Sequence, residues 1–176
     1  GNFEQYIKYD LIPMIDQEFR TYNSRLSRVV GGLSMGGFGA VMLSLKNPEL
    51  FGAAVSFSGA VGDILNLSEG EMPLFSPVAF GPILGPAHGE YAQRYRLRTL
   101  AEQRLEENNG PAIYLSCGKQ DYLYEANVGF TQYLRKIGYN HQYEEFEGEH
   151  NWEYWQTHLS RGLAFFESYF SKQTKS

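Results

Sequence analysis

The chain is 176 residues long, 43% hydrophobic and 20% charged, with a formal net charge of -5 and a single cysteine. That length suits one soluble globular domain; scattered Lys and Arg exclude a nucleic-acid surface, which needs a clustered basic patch, and one cysteine excludes an internal disulfide. No apolar run approaches the roughly 20 residues that span a bilayer, and the N-terminus lacks the basic and apolar regions of a signal peptide, so a cytoplasmic location is expected.

Residues 3–19 place Tyr6, Ile7, Leu11, Met14 and Ile15 at three and four spacings, which predicts an amphipathic helix with a local irregularity at Pro13. Arg28 to Leu33 is short, apolar and partly β-branched, the pattern of a strand buried on both faces of a parallel sheet. Met35 to Lys46 carries Val41, Met42 and Leu45 at helical spacing and is stopped by Asn47-Pro48. Phe51 to Phe57 reads as the next buried strand, ended by Ser58-Gly59-Ala60. From about 61 to 109 the pattern loosens around Pro73, Pro77, Pro82 and Pro86 before a polar helical stretch from Glu90 to Glu107, which predicts a lid-like insertion. Ala112 to Cys117 is a third strand, Leu123 to Ile137 a helix closed by Gly138, and His141 to Phe146 a fourth strand. Trp152 to Phe170 repeats Trp155, Leu159, Leu163, Phe166 and Phe170 at helical spacing. Strands alternating with helices predict an α/β fold, a mostly parallel sheet with flanking helices and functional residues at the carboxyl ends of its strands.

The segment Gly31-Gly32-Leu33-Ser34-Met35-Gly36-Gly37-Phe38-Gly39 sits directly behind the strand Arg28-Val29-Val30 and opens a helix. A serine on such a corner takes a strained backbone angle and leaves no room for side chains two positions before and after it, here Gly32 and Gly36. Gly37 and Gly39 are expected to let the helix sit close to the sheet, and the Met35 amide falls where a developing oxyanion would lie.

A serine hydroxyl needs a histidine to take its proton and a carboxylate to orient that histidine. Asp121 follows the third strand in Ser116-Cys117-Gly118-Lys119-Gln120-Asp121, and His150 follows the fourth in Glu147-Gly148-Glu149-His150-Asn151-Trp152. The order Ser34, Asp121, His150 is the one a strand-turn-helix nucleophile requires. Asp63 also follows a strand and is the rival acid. His88, His141 and His158 sit in the lid, at a strand start and within the last helix. Glu147 and Glu149 have no second His or Cys at ligand spacing, so a solvated loop is expected rather than a metal site. Cys117 reads as a small buried thiol. Trp152 is the candidate for a substrate-pocket wall, whereas Trp155 is equally explained by packing of the last helix.

Together the stretches Gly32-Leu33-Ser34-Met35-Gly36-Gly37-Phe38-Gly39-Ala40, Ser56-Phe57-Ser58-Gly59, Cys117-Gly118-Lys119-Gln120-Asp121-Tyr122-Leu123-Tyr124 and Gly148-Glu149-His150-Asn151-Trp152 resemble the esterase D-like branch of the α/β-hydrolases, most closely the bacterial tributyrin esterases. The resemblance implies Ser34 as nucleophile, Asp121 as acid and His150 as base. It implies a serine carboxylesterase acting on short-chain acyl esters, with no cofactor and no metal. Relatives of the same branch include S-formylglutathione hydrolases, feruloyl and acetylated-sugar esterases and acyltransferases. A non-catalytic binding or assembly module is the rival from outside enzymology. The chain departs from the family in having only 33 residues ahead of the elbow serine. The first strands of the fold, and the second oxyanion donor that comes from them, are then expected on a separate or cleaved N-terminal portion. Residues 1–176 would be the C-terminal part of one α/β-hydrolase domain, with a small-molecule ester as substrate and a homo-oligomer as a further possibility.

Overall fold

All four predicted strand runs are strands in the computed structural model, which describes residues 2–62 and 89–173. They are β1 (Val29–Leu33), β2 (Ala53–Phe57), β3 (Ala112–Gly118) and β4 (His141–Phe146). They lie side by side in chain order, and every pairing is parallel: Val29 faces Ala53, Ala53 faces Ala112 and Ile113 faces His141. Parallel neighbours need a crossover, and helices supply it. The helices are α1 (Phe3–Tyr6), α2 (Ile12–Glu18), α3 (Met35–Lys46), α4 (Glu90–Gln93), α5 (Leu97–Glu106), α6 (Tyr124–Lys136) and α7 (Trp152–Gln173).

The irregularity expected at Pro13 is a π-turn over Ile7–Leu11 that joins α1 to α2. The Ile12 amide bonds Ile7 O, five residues back, just ahead of a proline that has no N–H to give.

Period-two alternation on β3 divides the core. Ile113 and Leu115 pack with Val41 and Leu45 of α3, Leu100 of α5, and Phe130 and Leu134 of α6. Tyr114 points the other way, with Val55 and Phe57, toward Phe165 and Phe166 of α7. Gly162 lets α7 lie close to β2, because a Cβ there would stand 2.6 Å from the Phe57 ring.

Two expectations need correcting. β1 is not buried on both faces: Gly31 is exposed and the other four residues are half-buried, because β1 is the outermost strand and pairs only with β2 among the described residues. Beside it lies a cavity of about 520 Å³ whose apolar wall is Ile7, Leu11, Ile12, Ile15, Val29 and Val30. Nor is the elbow crowded symmetrically. A Cβ on Gly32 would lie 2.3 Å from Gly36 O, and one on Gly37 would lie 2.5 Å from the buried Ser56 Oγ, whereas Cβ atoms on Gly36 or Gly39 would meet nothing within 4 Å.

The lid-like stretch expected at about 61–109 falls mostly on residues 63–88, outside the described residues, as do Asp63 and His88. Beyond it, α5 buries Leu97, Leu100 and Ala101 in the core.

The glycine geometry predicts opposite results from one substitution. Gly32→Ala drives a side chain into backbone that cannot rotate away and is expected to cost about 1–3 kcal/mol or more. Gly39→Ala, a helix position facing open space, is expected to be neutral or stabilising by up to about 1 kcal/mol. Urea unfolding midpoints of the two variants check this, and equal losses would contradict it.

Candidate active site

Ser34 stands where β1 passes into α3, at φ 54 and ψ -123, in a region that side-chain-bearing residues rarely enter. Neighbouring backbone holds it there. Its amide donates to Phe57 O at 2.9 Å, while its carbonyl accepts from Gly37 N at 3.0 Å and Phe38 N at 3.2 Å. The Met35 amide lies in the first turn of α3, where N–H groups have no intrahelical acceptor.

Two later loops meet at Ser34. His150 Nε2 lies 2.8 Å from Ser34 Oγ, and its Nδ1 lies 2.9 Å and 3.0 Å from the two carboxylate oxygens of Asp121. A carboxylate only accepts, so Nδ1 carries the proton and Nε2 offers a lone pair to the serine hydroxyl. The Asp121 side chain is fully shielded, that of His150 is 13% exposed, and Asp121 Oδ1 also accepts the Leu123 amide at 2.8 Å.

The acid loop and the histidine loop are fastened to one another. Lys119 N donates to Phe146 O at 2.8 Å, Gln120 N to Gly148 O at 3.0 Å, and Gly148 N to Gln120 Oε1 at 2.6 Å. The Gln120 amide reaches Glu147 at 2.6 Å. These loops run so close that a Cβ on Gly118 would lie 2.2 Å from Gly148 O. Below them, the buried hydroxyls of Ser116 and Tyr154 are 2.7 Å apart.

Aromatic rings bracket the imidazole. Tyr122 lies 4.5 Å from His150 between ring centroids, and Trp155 meets it edge-on at 5.0 Å. The Trp155 indole donates to Ser58 Oγ at 3.1 Å, and Ser58 is a second non-glycine residue at positive φ. Burial, and then the Asp121 charge, push the Cys117 thiol well above its ordinary pKa, so it stays a neutral thiol. Burial and Asp121 also raise the Tyr122 phenol, and Ser34 partly offsets them.

Ser34, Asp121, His150 and the Met35 amide thus come together in one place. Trp152 stands at the rim, 66% exposed and 5.3 Å edge-on from Trp155. His141 instead bonds Tyr139 O, and His158 stacks on Phe146. Glu147 is engaged by Gln120 and by Lys119 at 3.1 Å. Tyr122 and Ser58 are not singled out by the sequence as site residues, and Trp155 is left there equally explained by packing of the last helix. Tyr122 had a usable signal in its place directly after the acid, and Trp155 in lying one turn beyond Trp152.

Arranged this way, the three side chains can remove a proton from Ser34 as its oxygen attacks an electrophilic carbon. A sequence model of the family described as "Putative esterase" matches residues 1–166. An acetyl esterase of Caldicellulosiruptor saccharolyticus is 25% identical over 167 residues, covering 93% of this chain and 63% of that protein. Among solved structures, the substrate-bound fluorophosphonate-binding serine hydrolase FphF of Staphylococcus aureus superposes with a TM-score of 0.74 at 28% identity, covering 92% of this chain and 62% of that one. A ferulic acid esterase gives 0.76 at 26% identity, covering 96% and 61%. The fold is that of the α/β-hydrolases, and the chain spans about six-tenths of the length of these relatives.

The bond under the loops gives a stability prediction. Tyr154→Phe leaves the buried Ser116 hydroxyl without its partner and is expected to cost about 1–3 kcal/mol, while adding Ser116→Ala recovers most of the loss. Urea unfolding of both single variants and the double variant measures the coupling, which additive losses would exclude.

Proposed function

The chain belongs to this esterase family, and from that premise we propose that it forms the catalytic part of a serine carboxylesterase cleaving short-chain acyl esters through an acyl-enzyme. One observation carries the reading: His150 bridges Ser34 Oγ at 2.8 Å and the buried Asp121 carboxylate at 2.9 Å. Ser34 attacks the ester carbonyl as His150 Nε2 takes its proton, and Asp121 holds the ring and stabilises the imidazolium. The Met35 amide donates to the oxyanion at the positive end of α3. His150 returns the proton to the departing alcohol, and water activated by the same ring releases the acid. This sequence of proton transfers asks for no metal or organic cofactor. Trp152 serves as a wall for the bound ester.

The names of the relatives, an acetyl esterase and a ferulic acid esterase, support a small acyl ester and leave the acyl group as the variable. The aromatic ring of Trp152 at the rim favours, as a second reading, an aromatic acyl group. Residues 1–176 act as the C-terminal part of one hydrolase domain in the cytoplasm. A further part of the same fold, laid along β1, covers that strand and supplies the second oxyanion donor. The exposed edge of β1 and the apolar cavity beside it support that arrangement. Among the described residues no helix is long and apolar enough to cross a membrane.

Hydrolysis of p-nitrophenyl acetate and labelling by a fluorophosphonate, on the protein with any chain that copurifies, test the reading. Ser34→Ala is expected to abolish both, and Asp121→Asn to lower kcat by roughly 10⁴-fold with the fold retained. A wild-type protein inert to both reagents would instead identify a binding or assembly module.

A further inference from the structure

Among the described residues Tyr122 is the one ring beside His150 that carries a hydroxyl and opens to solvent; it is 50% exposed, although its backbone is fixed between Asp121 and the buried Leu123. An aromatic ring kept for packing is buried, as Tyr114 and Tyr154 are. Tyr122 instead lays its ring against the imidazole, 4.5 Å away and tilted by 41°. Burial and then the Asp121 charge push its pKa upward, and Ser34 only partly offsets them. The phenol therefore stays protonated across the neutral range and is a donor.

The direction of approach narrows what it donates to. The oxyanion belongs on the side of the Met35 amide, and the alcohol must leave on the side of His150 Nε2, which gives it a proton. A hydroxyl whose ring rests on the imidazole reaches Ser34 from the histidine side.

We propose that Tyr122 is a further catalytic residue, whose hydroxyl donates a hydrogen bond to the ester's departing alkoxy oxygen in acylation and to the attacking water's oxygen in deacylation. The proposal rests on Ser34 acting as the nucleophile. In acylation the Ser34 Oγ–C bond forms while its proton passes to His150 Nε2. The C–O bond to the alcohol then breaks, and that same proton moves from His150 to the alcohol oxygen. Tyr122 keeps its own proton throughout and stabilises the charge that develops before the transfer is complete. Its contribution therefore grows as the leaving alcohol becomes more basic. A phenolate that departs as an anion gains little from it, and an alkoxide gains much.

Leaving-group dependence separates this role from a structural one. The wild-type protein and Tyr122→Phe, Tyr122→Leu and Ser34→Ala variants are compared in kcat/KM on p-nitrophenyl acetate and on ethyl acetate, and in rate of fluorophosphonate labelling. Tyr122→Phe keeps the ring and is expected to lose about tenfold more on the alkyl ester than on the aryl ester. Tyr122→Leu should lose no less than Tyr122→Phe on the alkyl ester. Equal losses of Tyr122→Phe on the two esters, or none on either, overturn the proposal while labelling of Ser34 leaves the serine mechanism standing. A wild-type protein that fluorophosphonate does not label at Ser34 overturns both together.

Discussion

Everything at this site depends on one backbone corner. An L-residue at φ 54 costs on the order of 1–3 kcal/mol, and it persists only where its surroundings over-determine it. Here the first constraint is steric: the chain turns so sharply that a Cβ on Gly32 would lie 2.3 Å from the Gly36 carbonyl oxygen, and any side chain at Gly32 would end the turn. The second is a pair of attachments. Phe57 O pins the Ser34 amide, and the first turn of α3 pins its carbonyl. With the backbone fixed twice, the hydroxyl is lifted clear of both strand and helix.

The parallel sheet turns that corner into a site. Because the strands run the same way and in register, Leu33, Phe57, Ser116 and Glu144 form one row across it. The chain beyond this row emerges at a single rim, where Ser34, the acid loop and the histidine loop are brought together from distant parts of the sequence. Register alone leaves loops free to sway, and the short hydrogen bonds through Gln120 and Gly148 remove that freedom. The rigid second support is Trp155, fixed by Ser58 at the end of β2 and set edge-on to the imidazole. His150 is thereby held from the acid side and from the α7 side at once, so little reorganisation is needed as its charge changes.

Those parts of the molecule that follow from local rules were legible in the sequence. α3 and β4 fall on the predicted residues, and the elbow, the acid loop and the histidine loop each follow a strand as their motifs require. Asp121 is marked in the sequence by its place after the third strand and by the motif around it, and its carboxylate lies against His150. What escaped was tertiary. Trp155 reads as one more apolar residue on an amphipathic helix, and only the crossing of α7 over β2, permitted by Gly162, carries its indole to Ser58. Gly36 and Gly39 looked equivalent to Gly32 and Gly37, because glycine in a motif announces missing bulk without saying which backbone comes near. Ser58 shows the converse, a positive φ at a residue whose identity gives no hint of it.

The two edges of the sheet are built differently, and the difference bears on the chemistry. β4 carries polar and charged side chains, Glu144 and Glu145 among them, and charge on an edge strand resists a further partner. β1 carries no charge between Val29 and Leu33, and its outer side faces an apolar cavity. By composition it is an interior strand in an edge position. It is also the strand that ends in Ser34. A parallel strand laid along β1 would bring its carboxyl end to the same rim as Ser34, on the flank away from β2. Covering the apolar edge and enclosing that flank of Ser34 are therefore one structural event, and apolar burial would drive both.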